Sequence, residues 1–121
     1  MPTKLILVVE DEPLLRMTAV DALEEEGFEA IEAANSSEAL ELLERRDDVG
    51  LVFSDIDMGN GVDGLRLAAL VRDRWPWVPV VLTSGRYAPE PRDLPEGCLF
   101  VPKPYRLPAV TEVFRKLSPR R

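Results

Sequence analysis

The chain has 121 residues, 45% hydrophobic and 31% charged, with 15 basic against 22 acidic side chains. That length suits one domain with one core, since domains commonly run ~100–150 residues, and a formal charge of -7 argues against a duplex nucleic-acid binder. The absence of histidine removes Ser-His-Asp and Cys-His catalysis and every His-ligated metal site, while a lone Cys98 excludes an internal disulfide, a CxxC pair and a cysteine-rich zinc site.

In chain order, Leu5-Ile6-Leu7-Val8-Val9 is a short continuous apolar run, as expected of a strand buried on both faces. It stops at Glu10-Asp11, and no run approaches the ~18 residues that a membrane helix needs, so no membrane insertion is expected. From Pro13, Leu15, Ala19, Ala22 and Leu23 recur at helical spacing until Gly27 ends the pattern as a C-cap. Phe28 to Ala33 alternates as a second strand. Asn35 with Glu38 three residues later resembles a capping box opening a helix through Ala39, Leu40, Leu42 and Leu43.

Leu51-Val52-Phe53 reads as a third buried strand, ended by Ser54-Asp55, and Asp55 to Asp63, with Gly59, Asn60 and Gly61, as a loop. Leu65, Leu67, Ala68 and Val71 continue as a helix to Trp75-Pro76, a junction where packing accounts for Trp75 and Trp77. Val78 to Leu82 is the fourth strand and Cys98 to Val101 the fifth, with Cys98 as a small buried hydrophobe. Pro108 falls in the first turn of a last helix striped by Leu107, Val110, Val113, Phe114 and Leu117.

This alternation predicts an α/β fold: a doubly wound, five-stranded parallel sheet joined by right-handed crossovers, forming a single domain over residues 1–121. Residues 1–48 hold 14 acidic and 4 basic side chains, and the remainder 8 and 11. Together with the lone cysteine, these features point to a reducing, cytoplasmic compartment and a chemistry built on carboxylates, hydroxyls and lysine.

Ligand sites in such sheets lie beyond the carboxyl ends of the strands. Strand one ends in Glu10-Asp11, strand three in Asp55, strand four in Thr83-Ser84, and strand five leads to Lys103. Gathered carboxylates repel, by about 4 kcal/mol for unit charges ~4 Å apart at an effective dielectric of 20. A hard divalent cation relieves this, and an all-oxygen set suits Mg²⁺ rather than zinc. Lys103 adds a point charge suited to a phosphate oxygen. A carboxylate nucleophile, a metal, a hydroxyl and a lysine together fit phosphoryl transfer to aspartate.

These residues resemble the receiver domain of two-component response regulators over nearly the whole chain. The resemblance rests on Val8-Val9-Glu10-Asp11-Glu12-Pro13, Ser54-Asp55-Ile56-Asp57-Met58, Asp63-Gly64-Leu65, Val80-Val81-Leu82-Thr83-Ser84-Gly85 and Val101-Pro102-Lys103-Pro104-Tyr105. It implies the flavodoxin-like strand order 2-1-3-4-5. It makes Asp55 the acceptor of a phosphoryl group from a sensor histidine kinase or histidine phosphotransfer protein. Asp11 and Asp55 would hold Mg²⁺ directly, Glu10 through a water, and Asp57 through its backbone carbonyl. Ser84 aligns with the switch hydroxyl, Thr83 is its near competitor, and Phe100 takes the aromatic switch position. Lys103 would pair with the phosphoryl group, with a cis Lys103–Pro104 bond, and Asp57 and Arg86 would tune dephosphorylation. Phosphorylation would switch a surface that meets a downstream protein.

Two departures from the family pattern stand out. Gly59 replaces the usual proline in a loop one residue longer than the common version, loosening the segment that supplies the Asp57 carbonyl. Where the family places its fourth helix, Pro89, Pro91 and Pro95 fall within seven residues. At ~3 kcal/mol per interior proline, at most one helical turn is expected across residues 86–96. No output domain is expected after Arg115 to Arg121, so the chain reads as a stand-alone receiver rather than an enzyme acting on other substrates.

Two rivals carry weight. Asp55-Ile56-Asp57 with a later Ser/Thr and Lys also suits a haloacid-dehalogenase-type phosphatase, but such a domain needs an acidic pair after the lysine, and only Glu112 follows Lys103. A phosphorylation-independent docking module is the second. Nucleotide binding lacks a GxGxxG or GxxxxGK[ST] after any strand.

Overall fold

The computed structural model describes residues 5–57, 63–85, 90, 92, 94–103, 110 and 112–115. Strands β1 (Leu5–Val9), β2 (Glu29–Ala33), β3 (Val49–Asp55), β4 (Val80–Ser84) and β5 (Cys98–Pro102) form one sheet in the order β2-β1-β3-β4-β5. Every pairing is parallel. Helices α1 (Pro13–Glu25), α2 (Ser36–Arg45) and α3 (Asp63–Arg74) connect the first four strands, and residues 110 and 112–115 are helical as well.

Strand alternation sorts the core into two layers. Leu7, Val9, Val52, Val80 and Leu82 face Ala39 and Leu43 of α2 and Leu67, Ala68 and Val71 of α3. Ile6, Val8, Leu51, Phe53 and Val81 face Ala19, Val20 and Leu23 of α1 together with Val110 and Phe114. Phe114 is fully buried, with ring centroids 5.4 Å from Phe53 and 5.9 Å from Phe28 in edge-on arrangements.

Local signals end the helices as the residues dictate. Gly27, at φ +96°, lets its N–H reach the Glu24 carbonyl and the Phe28 N–H the Leu23 carbonyl, the paired bonds of a Schellman cap. Asn35 Oδ1 accepts from the Glu38 N–H at 2.9 Å. Glu38 Oε1 reaches past Asn35 to accept from Ala34 N–H at 2.8 Å, one residue beyond a standard capping box.

Several expectations need correction. β3 is longer than Leu51–Phe53: the β1–β3 register shifts at Gly50, so a bulge hides the strand's start, and Ser54 and Asp55 belong to its end. β4 runs from Val80 to Ser84, two residues later than expected, because Pro79 supplies only its carbonyl, to Val52 N–H. Leu15 is 50% exposed; the buried stripe of α1 is Ala19, Val20 and Leu23. Trp75 packs on the core as expected, whereas Trp77 is 71% exposed. In the proline-rich segment, Arg92 lies in a 3₁₀ turn and residues 94–97 are bend, coil and turn, while residues 86–89, 91 and 93 lie outside the described residues. So do Gly59, Pro104, Leu107, Pro108 and Leu117.

Candidate functional site

The strand order places β1 beside β3 at the point where the winding reverses, so the residues that end these strands meet. Glu10 extends β1 through its N–H to the Ala33 carbonyl at 3.1 Å, and Asp55 ends β3 in register with Thr83 of β4. Among the described residues, Glu10, Asp11 and Asp55 each offer a carboxylate oxygen within 4.8 Å of the others. Glu10 and Asp55 are buried, while Asp11 is exposed. Lys103, from the end of β5, lies 3.4 Å from both Glu10 Oε1 and Asp55 Oδ2. Its backbone N–H bonds the Ser84 carbonyl at 3.0 Å, which fixes the side chain's origin.

Burial first, and then the charge of Asp55, pushes the Glu10 carboxyl above its ordinary pKa. Burial also raises Asp55, against the pull of Lys103 and the Asp57 N–H. For Lys103, burial alone would lower the pKa, but the carboxylates of Asp55 and Glu10 outweigh it and hold the ammonium above its usual value. One lysine therefore does not compensate the buried carboxylates. The all-oxygen donor set fits a hard divalent cation such as Mg²⁺, with Glu10, Asp11 and Asp55 placed to hold it.

The other candidate residues divide. Asp57 N–H donates to Asp55 Oδ1 at 3.2 Å, and Ser84 Oγ donates to Asp57 Oδ2. Thr83 alternates to the opposite face from Ser84; it is 3% exposed, and its Oγ1 has no hydrogen-bond partner among the described residues. It lines a cavity of about 10 Å³ with Glu10, Asp55 and Leu15. Phe100 is half-buried against the α2/α3 layer. Arg86, the Pro104 side of the Lys103–Pro104 bond and the loop at Gly59 fall outside the described residues.

Two residues that matter to this geometry had no assigned role from sequence. A Cβ on Gly64 would stand 2.2 Å from the Asp55 carbonyl oxygen, so only glycine lets α3 approach β3 this closely. Its signal was its place after Asp63 at a helix start. Arg16 Nη1 donates to the Glu10 carbonyl oxygen at 2.8 Å. Its signal was a basic residue isolated in an acidic half.

The family model for the response regulator receiver domain matches residues 6–93. The chain is 35% identical over 117 residues to the Brucella abortus sensor kinase CckA, covering 93% of this chain and 12% of that one. To the nitrogen assimilation regulatory protein NtrX of Azorhizobium caulinodans it is 40% identical over 82 residues, covering 66% and 18%. It thus spans less than a fifth of the length of the curated relatives it matches. Among solved structures, the response regulator protein TrrA of Thermotoga maritima, in complex with Mg²⁺-BeF, has a TM-score of 0.82 at 31% identity, covering 95% and 99% of the two chains. A receiver protein from Sinorhizobium medicae shares the fold at TM-score 0.86 and 24% identity, covering 95% and 94%. By this match in family, sequence and fold, the chain belongs to the response regulator receiver domains of two-component signalling.

Proposed function

We propose that Asp55 accepts a phosphoryl group from a phosphohistidine of a sensor kinase or histidine phosphotransfer protein. A carboxylate oxygen of Asp55 forms the new P–O bond as the P–N bond breaks, and the imidazole leaves with the bonding pair and takes up a proton. The observation that carries this reading is the placement of Asp55: buried at the end of the central strand, 3.4 Å from Lys103, with Glu10 and Asp11 carboxylates within 4.8 Å.

Mg²⁺ held by Glu10, Asp11 and Asp55, with the Asp57 carbonyl, would neutralise charge on the phosphoryl oxygens. Lys103 pairs with a phosphoryl oxygen, and the Asp57 N–H holds Asp55 Oδ1 in place. Ser84 leaves Asp57 for the phosphoryl group, and Phe100 moves inward, biasing a two-state surface toward a downstream protein. The chain catalyses only its own phosphorylation and dephosphorylation. Leu14, Leu15 and Met17 of α1 are 69%, 50% and 54% exposed, and Leu15 shares a cavity with Asp55. Exposed apolar side chains on α1, with Leu15 beside Asp55, support docking of the phosphodonor against this helix. Among the described residues no helix is long and apolar enough to cross a membrane.

Intact-protein mass spectrometry after incubation with acetyl phosphate, with and without Mg²⁺, tests this on wild type and Asp55→Asn. The expected result is a Mg²⁺-dependent gain of one phosphoryl group, absent in the variant. A folded wild type that gains none is instead a phosphorylation-independent docking module, and turnover of phosphomonoesters would point to a phosphatase.

A further inference from the structure

The turn between β1 and α1 carries two of the three clustered carboxylates, and the Arg16 side chain is one of its ties to the fold. Arg16, in the second turn of α1, is 18% exposed. Its guanidinium forks: Nη1 donates to the Glu10 carbonyl oxygen at 2.8 Å and Nε to Glu32 Oε1 at 2.9 Å. Glu32 belongs to β2, in register with Val8 of β1. The fork therefore ties the helix, the end of the first strand and the neighbouring strand at one point. Below it, Glu10 N–H bonds the Ala33 carbonyl at 3.1 Å, and Glu10 Oε2 accepts from the Glu12 N–H at 3.2 Å.

That restraint acts beside the buried carboxylates. Glu10 and Asp55 are buried, with Lys103 3.4 Å from a carboxylate oxygen of each. A charge-assisted bond to the Glu10 carbonyl fixes the turn's backbone without placing a second cation among the carboxylates, where it would compete with a metal ion. Lysine could not do both jobs, because a single ammonium lacks the planar fork that bonds a carbonyl and a carboxylate in fixed directions.

We infer that Arg16 is a positioning residue for the cation site: with Glu32 it holds the Glu10–Asp11 turn in the geometry that binds a divalent cation. The inference rests on the Mg²⁺-dependent receiver reading.

Its test is Mg²⁺ binding by calorimetry on wild type, Arg16→Met, Arg16→Lys and Glu32→Gln, with amide exchange at Glu10 and Glu12 in the metal-free proteins. Positioning predicts that Arg16→Met and Arg16→Lys both weaken Mg²⁺ binding about tenfold, the lower end of what outer partners of metal ligands contribute. Glu32→Gln, which keeps an acceptor, should lose less, and exchange at Glu12 should quicken in both Arg16 variants. A merely electrostatic Arg16 gives the opposite sign: Arg16→Met binds Mg²⁺ more tightly and Arg16→Lys like wild type. That outcome, or unchanged affinity in both, overturns the inference and leaves the receiver reading standing. If wild type binds no Mg²⁺, the receiver reading fails. Faster exchange in the Arg16 variants would then still show the turn restrained by Arg16, and unchanged exchange would sink that too.

Discussion

Ser84 Oγ donates its hydrogen bond to the Asp57 carboxylate, two residues beyond Asp55, whose Oδ1 receives the Asp57 N–H. One residue thus holds both the hydroxyl proposed to sense phosphorylation and the carboxylate proposed to accept it. Moving Ser84 to a phosphoryl group requires breaking its bond to Asp57, a hydrogen bond to a charged group that contributes roughly 1.5–3 kcal/mol.

Asp57→Ala, which keeps the backbone N–H and carbonyl, is accordingly expected to raise the phosphorylated fraction at limiting acetyl phosphate. The gain should be about tenfold in the phosphorylation equilibrium, or ~1.4 kcal/mol. On a Ser84→Ala background the gain should disappear, since there is no hydroxyl left to release. Mass spectrometry of the four proteins gives the double-mutant cycle, and an undiminished gain without Ser84 would refute the coupling.

The acidic cluster makes metal-free stability depend on pH. Glu10 and Asp55 have folded-state pKa values raised by burial. Their favourable contribution is therefore complete below the unfolded carboxylate values near 4 and is lost as pH rises through the raised folded values. Above the unfolded values, folding must either bury a charge or take up a proton, and either one costs stability. Asp55→Asn should then melt about 4 °C above metal-free wild type at pH 7, for ~1 kcal/mol, and show little gain near pH 3.5. Scanning calorimetry at both pH values without Mg²⁺ checks this; an equal gain at both would remove the electrostatic cause.

Thr83 presents a simpler case. Its buried hydroxyl has no partner among the described residues, and such a group costs ~1–3 kcal/mol. Thr83→Val preserves the shape and removes the polar atom. Urea unfolding should show a gain of about 1 kcal/mol, with Mg²⁺ affinity unchanged. A loss of stability would mean that the hydroxyl is satisfied in solution by water in the adjoining cavity.

Gly64 should be the least tolerant position of the site. An alanine Cβ there would meet Asp55 O at 2.2 Å and Ile56 Cα at 2.6 Å, both backbone atoms that cannot swing aside. Gly64→Ala should cost about 2–3 kcal/mol in urea unfolding and lower the rate of acetyl-phosphate labelling in the protein that still folds. Wild-type values for both would show that α3 can retreat freely from β3.

The order of the elements and the residue types at the strand ends were written in local sequence. Apolar runs of strand length stop at Glu10-Asp11, Asp55 and Thr83-Ser84, and helical spacing fills the gaps between them. Both signals come from neighbours within a few positions, and chirality then leaves few ways to assemble them. The bulge at Gly50, the exposed faces of Leu15 and Trp77, and the strand limits at Ser54 and Val80 were not legible, because each depends on pairing or packing with a distant segment. The same holds within the site. Lys103 meets Glu10 across 93 positions of chain, and Ser84 meets Asp57 across 27. Which of two adjacent hydroxyls reaches a carboxylate, and which is left unpaired, is a matter of strand register. Side chains alternate between faces, so only the assembled sheet decides that Ser84 turns to Asp57 and Thr83 to the cavity beneath Asp55.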